Sequence, residues 1–422
     1  MLISWHKGKT NQLYAERYNM KVRKILICSL VGAALLFGCG RNNQPKDTGA
    51  AENVKENVAE DENMTKATAG DETTEAVMYT GPVHKDEEFG HVYIGADSEV
   101  FLACGFEYGD SCNVVFENGF EVDDVPFFSG YFVKTNEPVL VDYQGYENVL
   151  LANNCGDSMW EVSGCADGDA VRVTLAEKGK YKEVQDTMAM TYSDDRSDYE
   201  NDEAFANFRM MEGGRLASGR LYRGASPVDD SHNRAEYVDT LLSDNNLAFV
   251  LDLADTEQKL EKYRETDGFS SEYYMSLYEN DKVALLGLSA SYRSDAFAKS
   301  LAEGLNRMSE NDGPYYIHCT EGKDRTGFAC ILLEAAAGCT YDEILDDYMY
   351  TYYNYFGVTK DDRSYDTINE MRFQDMMFYL TDAEDEEAAR NADLEKCAEN
   401  YLTNAGMTEA EFDRLLDAIT TD

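Results

Sequence analysis

Beyond residue 200 the apolar positions fall in short runs that alternate with longer amphipathic stretches. Residues 247–253 and 283–288 are apolar enough for strands buried on both faces, and Pro314-Tyr315-Tyr316-Ile317-His318 reads as a third. Helical spacing follows each: a polar stretch from Thr256, then residues 295–308, then residues 326–337 with Gly338 as the stop. Thr340 with Glu343, and Thr408 with Glu411, have capping-box spacing. Phe412, Leu415, Leu416 and Ile419 share one face of a closing helix. Repeated strand–helix units predict an α/β domain over residues 200–422, a parallel-centred sheet flanked by helices.

Residues 91–190 carry a different pattern. Asn113-Val114-Val115-Phe116 and Phe120-Glu121-Val122 flank Asn118-Gly119, a strong hairpin signal, and residues 138–141, 149–151 and 170–175 read as further strands. The expectation is a small β-rich domain, sandwich or barrel, joined to the α/β domain by the polar linker Asp194-Asp195-Arg196-Ser197-Asp198. Its spacing of Gly109-Asp110, Asn118-Gly119, Glu137-Pro138 and Gly168-Asp169 faintly resembles the β-barrel domain that accompanies S-adenosylmethionine-hydrolysing enzymes. No ligand residue carries over from that resemblance.

Residues 40–90 are mostly Asn, Asp, Glu, Thr and Ala, too polar to offset their chain entropy, and predict a disordered acidic stalk. Within residues 1–39, Lys21, Arg23 and Lys24 precede an apolar run over residues 25–38. A membrane-spanning helix needs ~20 apolar residues, so this run reads as the core of a signal peptide. Leu36-Phe37-Gly38-Cys39 resembles the bacterial lipobox, which implies lipidation of Cys39 and anchoring on the outer face of the cytoplasmic membrane; Phe37 departs from the usual small residue. An ordinary secretory signal is the alternative. Residues 1–19 fit no part of a signal, and Met20 is the expected start.

Charge narrows the partners. With 37 Lys and Arg against 81 Asp and Glu in 422 residues, the net charge is −44. That balance excludes sequence-independent nucleic-acid binding and docking on anionic lipid through a basic surface. A hydrophobic share of 43% excludes a wholly disordered chain.

The chemistry concentrates in His318-Cys319-Thr320-Glu321-Gly322-Lys323-Asp324-Arg325-Thr326-Gly327, between a predicted strand and a predicted helix. A loop that ends on a helix N-terminus aims backbone N–H groups at one point, where the helix dipole favours an anion. Gly322 permits a tight turn, and Arg325 offers a planar fork for two oxygens of a tetrahedral oxyanion. Cys319 opens the loop, where those dipoles stabilise a thiolate. A thiolate beneath an anion cradle suits attack on phosphorus. A buried core cysteine, or a sulfurtransferase anion loop (usually shorter), are the competing readings.

The Cys-x5-Arg spacing resembles the signature of the protein tyrosine phosphatase superfamily, and HCTEGKDRTG is similar to the loop of bacterial tyrosine phosphatases that also hydrolyse phosphoinositides. Asn207-Phe208-Arg209, Gly213-Gly214, Gly219-Arg220-Leu221-Tyr222-Arg223 and Ser226 resemble that group's entry into the domain. Asp252-Leu253-Ala254 departs from it, because many members carry Arg at the last of these positions. The resemblance implies a cofactor-free phosphomonoester hydrolase acting on phosphotyrosine in protein or peptide, with phosphoinositides or inositol phosphates as the alternative substrates. It implies Cys319 as nucleophile, Arg325 as phosphoryl ligand and Thr326 as hydrogen-bond donor to the thiolate. His318 orients the loop, and Thr320, Glu321, Gly322 and Lys323 line the substrate, with Lys323 a second rim charge. Three carboxylates compete as general acid: Asp324 first, then Asp255, whose rival role is to cap the helix at Thr256, then Asp295. Arg223 either grips phosphate or sits in a buried ion pair. The Tyr348–Tyr355 stretch either stacks on substrate or packs a helix on the sheet. A catalytically silent binding module and a surface scaffold remain the other classes.

Cys330, Cys339 and Cys397 read as core, whereas Cys104, Cys112, Cys155 and Cys165 in the β-rich domain either form two disulfides or stay reduced. No Cys-x-x-Cys or His-rich spacing points to zinc.

Overall fold

The computed structural model describes residues 77–421, apart from Glu88, Gln144, Gly145, Cys155 and Ala290. The signal-like segment, Cys39, Met20 and residues 40–76 lie outside the described residues. Among the described residues, no helix is long and apolar enough to cross a membrane.

Seven strands close a barrel: β1 (Met78–Lys85), β2 (Val92–Ile94), β3 (Ser111–Phe116), β4 (Glu121–Phe128), β5 (Pro138–Val141), β6 (Leu150–Asn153) and β7 (Ala170–Glu177), in the order β1-β2-β6-β5-β4-β3-β7. Asn118-Gly119 turns the β3–β4 hairpin, with Gly119 at φ +86°, a left-handed conformation that glycine adopts freely. Alternate strand side chains fill the interior, among them Val83, Val114, Phe127, Leu140, Leu151 and Val173, and Phe101 from the short helix Ser98–Ala103 joins them. Strand β1 corrects the stalk boundary. Its polar composition hides two inward side chains, Tyr79 and Val83, and pairing with β7 and β2 orders the rest. Cys104, Cys112 and Cys165 are free thiols, and burial pushes Cys112 up to about 12.

Helix α1 (Lys182–Met188) follows the barrel. The expected linker is docked rather than loose: Asp194 accepts from Arg234 Nη1 at 2.9 Å, and residues Arg196–Asp198 form a 3₁₀ turn.

The second sheet has the order β11-β10-β12-β9-β8. Strands β9 (Leu221–Gly224), β10 (Phe249–Asp252), β11 (Val283–Leu285) and β12 (Tyr315–His318) are mutually parallel where they pair, and β8 (Arg209–Met210) adds an antiparallel edge. Period-two alternation sends Phe249, Leu251, Tyr315 and Ile317 to one core and Val250 and Tyr316 to the other. Helices α2 (Ala235–Asp244), α3 (Glu257–Arg264) and α4 (Glu272–Glu279) cover the second face. The first face is covered by α5 (Asp295–Ser309), α6 (Asp324–Ala336), α7 (Tyr341–Phe356), α8 (Arg363–Ile368), α9 (Gln374–Thr381), α10 (Leu394–Asn404) and α11 (Glu409–Ile419). A π-helical turn, Asn369–Phe373, joins α8 to α9. Both capping boxes form, at Thr340 with Glu343 and at Thr408 with Glu411.

Gly224 at the end of β9, Asp252 of β10 and His318 of β12 stand side by side in register. The carboxyl ends of the parallel strands, where ligands bind in open α/β sheets, therefore converge on the loop that begins at Cys319.

Candidate active site

The loop enters α6 without a side-chain cap: Lys323 occupies the N-cap position and its side chain accepts nothing from the first turn. Helix α6 is buried along nearly its whole length, so the open N–H groups of its first turn are left for a ligand.

The cradle is held by its carbonyls. Thr320 C=O accepts from Ser226 N at 3.0 Å, and Glu321 C=O from the Tyr355 hydroxyl at 2.7 Å. Gly322 C=O accepts from Arg223 Nη2 at 3.1 Å and Asn207 Nδ2 at 3.3 Å. A trans peptide sets its C=O and the following N–H on opposite sides. Each clamped carbonyl thus turns the next N–H, of Glu321, Gly322 and Lys323 in turn, toward the interior of the loop. Gly322 has φ +68°, and an added Cβ would overlap the Gly224 carbonyl, so both conformation and space demand glycine.

At the ends of this curve lie Cys319, 3% exposed, and Arg325. Arg325 donates from Nη1 to Leu288 C=O at 3.1 Å and from Nη2 to Thr320 Oγ1 at 3.3 Å, which fixes the fork across the loop. Thr326 Oγ1 is fully buried with no hydrogen-bond partner among the described residues. Burial pushes His318 down to about 4, so its imidazole is neutral. Its Nδ1 lies 3.1 Å from Cys319 C=O and, facing an acceptor, carries the proton. The 3.6 Å approach of His318 Nε2 to Asp252 is then not an ion pair.

Lys323 is less free than a rim charge. Its Nζ lies 3.2 Å from Glu321 and 4.0 Å from Asp324. Burial opposes its charge, but Asp324 and Glu321 hold the ammonium well above the usual lysine range. Glu321 also accepts from the Tyr192 hydroxyl, which brings the segment after the barrel onto the loop. Asp324, half exposed, is the carboxylate at the rim.

Three expectations need correcting. Arg223 is 1% exposed and bound to Asp347 and Gly322, so it sits in a buried ion pair and supports the loop from beneath. Burial pushes Asp347 up, yet Arg209 and Arg223 bring it down to about 2. Asp255 does not cap α3, because Thr256 does; its carboxyl is buried beside Asp252, with Oδ2 unpartnered. Burial and Asp252 push Asp255 up to about 7. Tyr348, Tyr352 and Tyr355 pack α7 under the loop and α6 instead of on the sheet. Asp295 is a first-turn acid of α5, whose cap is Ser294. The residues missed in the sequence are the clamps themselves: Asn207 as a donor, Asp347 and Tyr355. Asn207 lay in the quoted Asn207-Phe208-Arg209 string, and its φ of +49° is the left-handed geometry Asn tolerates.

An uncapped helix N-terminus, an inward nest of amides, a thiol and a clamped guanidinium thus meet at the end of a parallel sheet. Residues 203–421 match the model of the tyrosine phosphatase family, more than half of the chain. The chain belongs to that family. It is similar to a Cupriavidus necator protein that bears a tyrosine-protein phosphatase name, with 30% identity over 156 residues, 32% of this chain and 55% of the relative. The chain thus spans about half the length of that curated relative. Among solved structures, an uncharacterized conserved protein from Thermotoga maritima aligns at 22% identity, covering 24% of this chain and 37% of its own, with a TM-score of 0.21, too low to carry an argument.

Gly322→Ala is expected to lower kcat/KM on an aryl phosphate by about 100-fold or more, since misplacing the amides by ~1 Å is enough, while far-UV circular dichroism stays unchanged. A loss below about threefold would show that the turn tolerates a side chain.

Asp255 gives a pH signature. Its folded-state value is raised from 3.8 to about 7, so the folded state binds the extra proton and stability falls as pH rises through that window. Asp255→Asn is expected to raise Tm more at pH 8 than at pH 5. An equal change at both pH values would remove the buried carboxyl from the account.

Proposed function

We propose that this chain is a cysteine-dependent phosphatase that hydrolyses phosphotyrosine in protein or peptide. The observation that carries the reading is the trio of outward-clamped carbonyls, which turns successive amides toward the space between Cys319 and Arg325. Such donors complement three equatorial oxygens of a phosphoryl group in flight. In the first step Cys319 Sγ bonds to phosphorus as the ester P–O bond breaks, and Asp324 gives its proton to the departing oxygen. In the second, water attacks phosphorus, Asp324 takes a proton from it, and the S–P bond breaks to return the thiolate. Thr326, with its unpartnered hydroxyl, donates to sulfur as the leaving thiolate forms. Neutral His318 holds the Cys319 carbonyl and keeps the start of the loop in place.

Inositol lipids or inositol phosphates on the same loop are the second reading. Export, with a lipid on Cys39 tethering the chain to the outer face of the cytoplasmic membrane, completes the proposal. With a net charge of −44, such a chain relies on its acyl group for membrane contact, and long-range attraction plays no part in bringing anionic substrates to it.

The test is turnover in EDTA by the chain from Val77 onward, which keeps strand β1 of the barrel, beside Cys319→Ser, on phosphotyrosine and phosphoserine peptides, phosphoinositides and inositol phosphates. Phosphotyrosine hydrolysis that disappears in the variant is the expected result. Binding of phosphate by both proteins with no turnover on any substrate would replace the enzyme by a silent phosphate-binding module.

A further inference from the structure

Tyr192 lies on the segment that runs from the barrel into the α/β domain, after α1 and before residue 203, where the family match begins. Half-buried, it reaches the cradle loop from outside. Its hydroxyl donates to the Glu321 carboxylate. Its ring stacks on Tyr355, with centroids 4.7 Å apart and planes 20° from parallel. Tyr355 is the residue whose hydroxyl donates to the Glu321 carbonyl at 2.7 Å. Tyr192 therefore acts on Glu321 twice, on the carboxylate directly and on the carbonyl through the stacked ring. The carboxylate in turn holds Lys323 Nζ at 3.2 Å. Burial opposes the charge on Glu321, but Lys323 and the Tyr192 hydroxyl keep the carboxyl below its usual range.

The segment is fastened on both sides of Tyr192. Upstream, Gln185 of α1 joins the barrel, accepting from Ser129 N at 3.0 Å and donating to the Ser129 hydroxyl at 2.7 Å. Thr187 of the same helix donates to Ser364 of α8 at 3.3 Å. Downstream, the buried Arg234 guanidinium donates to Ser193 C=O at 3.0 Å and to Asp194 at 2.9 Å, and lies 4.9 Å from the centre of the Tyr192 ring. His232 adds a further contact, with Nδ1 3.0 Å from Asp194 and Nε2 3.4 Å from the Tyr192 oxygen. A hydrogen bond to a carboxylate, an aromatic stack and a cation over the ring thus meet in one side chain. Phenylalanine would supply the stack and the cation contact equally well. The hydroxyl is the part that packing does not call for, and its hydrogen goes to a residue of the cradle.

We infer that Tyr192 is a positioning residue for the phosphate cradle: by holding the Glu321 carboxylate and bracing Tyr355, it fixes the peptide between Glu321 and Gly322, whose N–H faces the bound phosphoryl group. The inference rests on the phosphatase reading and deepens it, because the segment that joins barrel to catalytic domain becomes part of the working site. Without the hydroxyl, the Glu321 carboxylate keeps Lys323 as its one remaining partner among the described residues, and the loop loses its tie to the barrel side.

The test is a double-mutant cycle in the chain from Val77 onward: wild type, Tyr192→Phe, Glu321→Ala and the double variant. Each is assayed for kcat and KM on a small aryl phosphate and on a phosphotyrosine peptide, and titrated with inorganic phosphate. Glu321→Met, which keeps the side-chain stem, replaces the alanine variant if that does not fold. Tyr192→Phe is expected to lower kcat/KM about tenfold on both substrates, the size of a hydrogen bond to a charged group, chiefly through kcat and with far-UV circular dichroism unchanged. In the Glu321→Ala background the same change is expected to cost less than about twofold, since the two residues act as one unit. Losses that multiply independently, or no loss from Tyr192→Phe, would overturn the inference. So would a loss confined to the peptide, which would make Tyr192 a substrate contact. A wild type that binds phosphate without turnover removes the phosphatase reading alone, and the cycle is then read in phosphate affinity with the same pattern expected. A wild type that neither turns over nor binds phosphate would sink both.

Discussion

The Arg223 guanidinium, buried beneath the loop, connects most of what this site does. It pairs with Asp347 from α7 and donates to the Gly322 carbonyl, so one cation ties strand β9 and a helix of the opposite layer to the middle of the cradle. A buried ion pair adds little net stability over an apolar pair, but losing one partner leaves an uncompensated charge, a cost of about 3–5 kcal/mol. The pair therefore acts chiefly as a register pin. With Asn207 and Tyr355 it makes the outward direction the favourable one for the loop carbonyls, and the inward amides follow from peptide geometry. The electrostatic field of the cradle is thus set by buried side chains beneath the loop.

That arrangement accounts for an anion site on a chain of net charge −44. The amides and the α6 dipole are fixed, local and enclosed, whereas surface carboxylates are screened within about 8–10 Å at physiological salt. Within the loop, Glu321 and Asp324 neutralise Lys323, which leaves Arg325 as the loop's cation without a carboxylate partner among the described residues. The barrel adds to the same picture through mechanical contact: α1 lies on α8, and Lys134 reaches the π-helical turn. Among the described residues, the barrel interior is filled chiefly by aliphatic and aromatic side chains.

Much of this was legible in the sequence because it is local. The β-α alternation, the two capping boxes, the Asn118-Gly119 hairpin and the glycine at position 322 each depend on residues within a few positions of one another. The clamps were not, since Arg223 meets Asp347 and Asn207 meets Gly322 across more than ninety positions, and no local pattern encodes such partners. Arg223 was recognised as important with its role undecided, and only burial separates a phosphate ligand from a loop support. Strand β1 was missed because composition outweighed two well-placed apolar residues, and pairing energy from β7 and β2 decided otherwise. Asp255 sits one residue before a genuine cap, close enough that spacing alone assigned it the wrong partner.

The account stands or falls on Cys319 becoming covalently attached to phosphorus. The direct measurement is rapid acid quench of wild-type enzyme turning over an aryl phosphate, followed by peptide mass spectrometry. One phosphoryl group on the peptide that carries Cys319, absent from Cys319→Ser, is the predicted result. Steady turnover with that peptide unmodified at every quench time, or phosphoryl transfer to a different residue, would contradict it.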